Sequence, residues 1–79
     1  MRLFGRMRKP YTYIKVTFTF ETQEQAERGR EAASNFPSMC TLSPVMEAEG
    51  LYGFDADDVE GNCVAELIKQ VRAKAEAEA

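Results

Sequence analysis

Residues 11–20 alternate apolar and polar side chains with a period of two. An extended strand places every second side chain on one face, so this segment predicts a strand with one buried and one wet side. The side predicted to be buried carries four apolar residues: Ile14, Val16, Phe18 and Phe20. The opposite side is polar and carries Tyr11 and Tyr13 at one end. The chain is therefore expected to build a sheet with one solvent-exposed face.

A helix is predicted to begin at Thr22, because residues 22–25 form a capping box in which the threonine oxygen accepts a backbone hydrogen bond. Pro37 predicts its end, since the residue before a proline resists helical geometry. The inward stripe is expected to be nearly all small: Ala26, Gly29, Ala33 and Phe36. Such a stripe allows the helix to lie close against a sheet.

Two further strands are predicted after this helix. Residues 39–46 form the first, and Pro44 places it at a sheet edge because proline lacks the donor that a central strand needs. Residues 47–50 form a four-residue hairpin turn that leads into a strand over residues 51–54. The two strands are expected to pair antiparallel.

The acidic run after Phe54 predicts the start of a long second helix. Asp57 is placed as its cap, with Asp55 and Asp58 near the positive end of the helix dipole. The expected buried stripe is aliphatic, with Val59 and Cys63 beside it: Val64, Leu67, Ile68, Val71 and Ala75. Residues 75–79 are expected to fray.

This order of elements predicts one α+β domain over residues 1–79, with an antiparallel sheet of three to four strands and two helices on one face. It is the order of a ferredoxin-like sheet without its last strand, in which the first and third of these strands are central neighbours. Residues 2–7 of the basic arm (residues 1–10) are expected to fold back on the first long strand and fill that place, so ββαββα is favoured over βαββα. If the arm does not pair there, the open strand edge favours a homodimer.

Several classes of function are unexpected for this composition. Histidine is absent, no phosphate loop or nucleophile motif occurs, and no apolar run approaches the length of a membrane span. Cys40 and Cys63 have no metal-binding spacing and are interpreted as buried thiols in a reducing, cytoplasmic setting. We therefore expect no enzyme activity, no cofactor, no metal and no membrane insertion.

The acidic run that begins at Asp55 partly matches a calcium-binding loop. Acids stand at its first, third and twelfth positions, the last being Glu66. The fifth position is Val59, and the sixth is Glu60 where the sharp turn of such a loop needs glycine. The sequence therefore favours a charged helix N-terminus over a calcium site.

The charge of the chain is unevenly distributed. Residues 1–20 carry five basic side chains and no acidic one, whereas residues 21–79 carry thirteen acidic and five basic side chains, so +5 and −8 add to the net −3. The five basic residues of the first segment are Arg2, Arg6, Arg8, Lys9 and Lys15. A basic arm on an acidic body indicates two surfaces with different electrostatic preferences.

Residues 50–54, Gly-Leu-Tyr-Gly-Phe, resemble the aromatic signature of RNA-recognition motifs, and the predicted strand order matches that family. The resemblance implies a module for single-stranded RNA or DNA in which aromatic side chains stack on bases. The candidates on this chain are Tyr13, Lys15, Tyr52 and Phe54. The alternative places Tyr52 and Phe54 in the core, and it is favoured because an acidic body does not neutralise phosphates.

An apolar strand followed by Asp-Ala-Asp-Asp and a helix, over about ten residues from residue 51, is similar to DNA-mimicking CRISPR inhibitors of phages. The resemblance implies an acidic surface that competes for a basic channel. The leading hypothesis is a non-enzymatic protein-binding regulator or inhibitor, encoded by a phage or mobile element and acting on a nucleic-acid-handling host protein. Nucleic-acid binding is the alternative. The residues expected to contact a partner are Asp55, Asp57, Asp58, Glu60, Tyr11, Tyr13, Lys15, Tyr52, Arg6, Arg8 and Lys9.

Overall fold

A computed structural model describes residues 12–37 and 40–77 of the chain. The elements are β1 (Tyr13–Phe20), α1 (Gln23–Ser34), β2 (Thr41–Leu42), β3 (Met46–Ala48), β4 (Leu51–Glu60) and α2 (Val64–Glu76). They confirm the predicted α+β class with an antiparallel sheet and two helices. The predicted strand over residues 2–7 lies outside the described residues, so the choice between ββαββα and βαββα stays a prediction.

Strand β4 is the centre of the sheet. It pairs antiparallel with β1 on one side and with both β2 and β3 on the other. The β1 register places Phe18 opposite Phe54 and Phe20 opposite Tyr52. The prediction that the first long strand and the strand beginning at Leu51 are neighbours is therefore confirmed.

The prediction that the acidic run opens the second helix is wrong. Strand β4 continues through that run to Glu60, and α2 begins only at Val64 after a 3-10 turn over Gly61–Cys63. Ala56 and Val59 explain the longer strand, because both are fully buried on its inner side. The aspartates therefore do not lie at a helix N-terminus, so the expected stabilisation by a helix dipole does not apply to them.

A β-bulge in β4 accounts for the broken alternation that suggested a helix. Val16 pairs with Ala56 and Ile14 pairs with Val59, so Asp57 and Asp58 together oppose the single residue Lys15. An extra residue on one strand keeps both flanking apolar side chains on the same side of the sheet. The bulge thus allows two consecutive aspartates to stay out of the core.

The predicted strand over residues 39–46 is divided into β2 and β3 by Ser43, Pro44 and Val45. Ser43 bridges the interruption, since its backbone N–H donates to the Asp55 carbonyl and its hydroxyl accepts from the Asp55 N–H, both at 2.9 Å. The Nε of Arg30 donates to the Ser43 carbonyl at 2.6 Å. Pro44 therefore lies at an edge of the sheet formed by the described residues, as predicted, between the short strands β2 and β3.

The hairpin between β3 and β4 is tighter than predicted. Ala48 pairs with Leu51, so only Glu49 and Gly50 form the loop, and both have positive φ, 57° and 83°. Positive φ at both central positions defines the type I′ turn that matches the twist of a hairpin. The Gly50 N–H donates to a Glu47 carboxylate oxygen at 3.0 Å, which closes the turn.

Both helices lie on one face of the sheet and enclose the core. The predicted cap of α1 is confirmed, because the Gln25 N–H donates to the Thr22 hydroxyl at 3.1 Å. The predicted small stripe is also confirmed, with Gly29 packed so closely that an added Cβ would lie 3.1 Å from a Val71 methyl group. Apart from Gly29, the fully or nearly fully buried residues of the described ranges are Phe18, Phe20, Ala26, Ala33, Phe54, Ala56, Val59, Leu67, Val71 and Ala75.

One detail of the predicted core differs. Ile14 is 37% exposed although its register partner Val59 is fully buried, because β1, unlike the central strand β4, has a paired strand on only one side within the described residues. Ala75 is fully buried within α2, and the guanidinium of Arg28 donates to its carbonyl at 3.0 Å. Helix α2 extends to Glu76, and the fraying expected for residues 75–79 stays a prediction.

Candidate functional site

The side of the sheet opposite the helices is here called the open face. Alternation places on it the residues of β1, β3 and β4 that do not point into the core: Tyr13, Lys15, Thr17, Thr19, Met46, Ala48, Leu51, Gly53, Asp55 and Asp57. Within residues 12–37 and 40–77 no helix packs against this side. It is therefore the largest surface of the sheet that is available to a partner in the described part of the chain.

One end of the open face is an apolar groove. Its volume is about 190 Å³, and its apolar walls come from Met46, Ala48 and Leu51 around Gly53. Met46 is 54% exposed and Leu51 is 44% exposed. Thr17, Thr19 and Asp55 line the polar side of the same groove. Apolar walls beside a carboxylate suit a ligand that combines an apolar side chain with a cation.

Asp55 is the most constrained of the predicted partner-binding residues. Its Oδ1 accepts a 2.8 Å hydrogen bond from the Thr17 hydroxyl, which lies directly across the strand pair. Its Oδ2 lies 3.9 Å from the Lys15 ammonium. Two neighbours on β1 thus hold the carboxylate in place beside the apolar groove.

Asp57 and Asp58 extend the acidic surface through the bulge. Asp57 is half-buried and pairs with Thr41 of β2, whereas Asp58 is exposed. Asp58 has a φ of 63°, in the left-handed region that aspartate tolerates better than most residues. The structure therefore brings together three of the predicted acidic residues with Lys15, although on a strand and not at a helix N-terminus.

The remaining predicted partner-binding residues are more dispersed. Tyr13 and Glu60 are register neighbours at the far end of the β1–β4 pair, and Tyr13 is 57% exposed. Tyr52 points toward the helices, where it packs half-buried against the core. Tyr11, Arg6, Arg8 and Lys9 lie outside the described residues.

The aromatic platform expected from the RNA-recognition resemblance is not formed by β4. Phe54 is 1% exposed and stacks on Phe18 with ring centroids 5.0 Å apart. Tyr52 lies on the same inner side, two residues away. The alternative that placed both aromatic side chains in the core is therefore the correct one, although Tyr52 keeps a partly exposed edge.

The groove residues were not singled out in the sequence. Met46 was assigned to an edge strand and Leu51 to the next strand, without a side for either. The usable signal was alternation in β4, because a buried Phe54 places Leu51, Gly53 and Asp55 on the opposite side. The pairing of Met46 with Gly53 follows only from a two-residue turn, and the sequence predicts a four-residue turn instead.

Neither cysteine is part of this face. Cys40 and Cys63 are free, half-buried and packed against the core, in agreement with their interpretation as small apolar side chains. Burial raises the pKa of the Cys40 thiol above its ordinary value. In the described ranges no three metal-ligating side chains come together, and none of the helices there is long and apolar enough to span a bilayer.

Comparison of the chain with protein-family models, with curated proteins and with solved structures finds no match.

Proposed function

We propose that this chain is a non-enzymatic protein-binding regulator or inhibitor that occupies a basic surface of another protein through its open face. The observation that supports this most directly is that Asp55 lines one groove with the exposed side chains of Met46 and Leu51, while Asp57 and Asp58 follow it along the same strand. Carboxylates attract and orient a basic partner, while exposed apolar side chains supply contact area that is removed from water.

The mixture of charge and apolar area favours a protein over a nucleic acid as the partner. Phosphates are repelled by the carboxylates of the open face, and the aromatic residues Tyr52 and Phe54 that would stack on bases point toward the helices. Protein interfaces, in contrast, combine an apolar centre with polar and charged residues around it.

The proposed partner is a nucleic-acid-handling protein with a basic channel, such as a CRISPR-type complex of a host cell. A channel that binds phosphates presents lysine and arginine side chains, and these are complementary to the aspartates of the open face. A phage or mobile-element origin and a cytoplasmic site of action accompany this proposal.

Capture of partners from a bacterial lysate tests the proposal. The full chain is immobilised through a C-terminal tag, and retained proteins are identified by mass spectrometry with and without nuclease treatment. We expect at least one basic protein to be retained in both cases and to be released as salt rises, because the attraction is electrostatic.

A matched pair of triple variants locates the binding surface. Asp55→Asn, Asp57→Asn and Asp58→Asn together remove the three aspartates of β4, whereas Glu24→Gln, Glu27→Gln and Glu31→Gln remove three acids from the exposed side of α1. The first triple is expected to lose the retained protein, and the second to keep it. Equal loss in both, or retention of nucleic acid alone, would reject the proposal.

A further inference from the structure

The apolar groove and the acidic residues follow one another along a single strand. Leu51, Gly53, Asp55 and Asp57 are alternate residues of β4 on the open face, so each lies about 6.8 Å from the next. An extended segment laid along this face has the same repeat. Successive alternate side chains of such a segment therefore face the groove, then Asp55 and then Asp57.

Asp55 already has a cation beside it, and that contact is weak. The Lys15 ammonium lies 3.9 Å from Oδ2, and the lysine side chain is 58% exposed. Exposed ion pairs of this kind contribute little to stability, because water screens the charges. The Thr17 hydroxyl keeps Oδ1 in position independently of the lysine. A second cation can therefore replace Lys15 without moving the carboxylate.

We propose that the groove binds an apolar side chain of an extended, basic polypeptide segment, and that a lysine or arginine two residues further along displaces Lys15 from Asp55. The next basic residue of the segment, after a further two positions, then faces Asp57. This inference rests on the proposed function, because it specifies how the partner protein contacts the open face. It also makes Lys15 an internal competitor of the partner.

Charge favours a cationic segment over a second copy of this face as the occupant. A two-fold contact centred on Asp55 and Asp57 would bring the carboxylates of the two copies together, and like charges at close range are repulsive. The groove walls are apolar and its border is acidic, so the complementary ligand is apolar and cationic.

A titration of the isotope-labelled full chain, followed by two-dimensional NMR, tests the inference. The probe is a short synthetic peptide with leucine, lysine and lysine at alternate positions, separated by serine. Chemical-shift changes are expected at Thr17, Met46, Leu51 and Asp55, and not on the exposed side of α1. A control peptide in which the leucine and the two lysines are consecutive is expected to bind less well. In an extended chain consecutive side chains point to opposite sides, so the three cannot all face the protein.

Four single variants are expected to change the peptide affinity in different directions. Lys15→Gln is expected to raise the peptide affinity about two- to fivefold, since it removes the competing cation. Asp55→Asn and Leu51→Thr are each expected to lower it about fivefold. Glu31→Gln, on α1, is the control and is expected to leave it unchanged.

Weaker binding by Lys15→Gln, or equal binding of the alternate and adjacent peptides, would overturn this inference. So would shift changes located away from the groove. The proposed function fails separately, in the capture experiment. A protein that is retained through the three aspartates but is insensitive to Leu51→Thr leaves that function intact and removes the groove from it.

Discussion

The two faces of the same sheet are built in different ways. The covered face contains Phe18, Phe54 and Val59, which are nearly completely buried, and the described residues include no buried polar residue. The open face alternates with it along the same strands but carries threonine, aspartate, lysine and two exposed apolar residues. The burial that stabilises the fold is therefore concentrated on one side of β4, and the other side is more exposed to solvent.

The largest expected difference is in the free energy of unfolding when one residue of β4 on each face is changed to alanine. Phe54→Ala removes a fully buried ring and is expected to cost about 3–5 kcal/mol, which exceeds the few kcal/mol available to a domain of this size. Leu51→Ala, on the open face, is expected to cost less than about 1 kcal/mol. Circular dichroism and urea unfolding measure both.

Because Phe54→Ala is expected to unfold the chain, Phe54→Leu provides a measurable intermediate. It should stay folded and lose about 1–2 kcal/mol. If Phe54→Leu and Leu51→Ala changed the free energy of unfolding equally, the distinction between a structural and an available face would be wrong.

Gly53 tests how closely the two central strands approach each other. A Cβ at this position would overlap the backbone carbonyl oxygen of Phe18, so the strands would have to move apart. Gly53→Ala is therefore expected to lower the free energy of unfolding by about 2 kcal/mol. Gly61→Ala is the matched control, because its Cβ would meet only ordinary contacts from 3.6 Å. Similar urea midpoints for the two variants would contradict this account of Gly53.

The bulge predicts that glycine substitutions at two adjacent aspartates change the free energy of unfolding in opposite directions. Asp58→Gly relieves a positive φ and is expected to stabilise the chain by about 0.5 kcal/mol, whereas Asp57→Gly adds chain entropy without such relief and is expected to cost about 0.5–1 kcal/mol. Thermal unfolding of the two variants provides the comparison. Destabilisation by Asp58→Gly would show that its side chain supports the fold, and not only the open face.

The smallest expected effect is on the covered side, at Cys40. Its pKa is raised by burial, so the folded state holds the thiol proton more tightly than the unfolded state does. The resulting stability is present below the ordinary thiol pKa and is lost as pH rises through the raised value. In a Cys63→Ser variant, thiolate absorbance should appear at higher pH for the folded than for the urea-unfolded chain. Coincident titration curves would show that Cys40 is not desolvated.

The sequence by itself determined the elements whose signals are local. The alternation of residues 13–20 specified β1, and the capping box at Thr22 specified the start of α1. The aliphatic stripe through Leu67 and Val71 specified the buried side of α2. Each of these signals lies within one element, so no knowledge of a neighbouring element was needed to interpret it.

The tertiary structure alone decided what the acidic run becomes. Two consecutive aspartates interrupt the period of two, and an acidic cluster before an aliphatic helix has the composition of a helix N-terminus. Pairing with β1 resolved the conflict, because the bulge keeps Ala56 and Val59 buried while Asp57 and Asp58 stay outside the core. The open face has the same origin: Met46 meets Gly53 only across the two-residue hairpin, and Thr17 meets Asp55 only across two strands that are distant in sequence. Contacts of that kind depend on register, which is set by the partner strand and the turn and not by the residues of one segment.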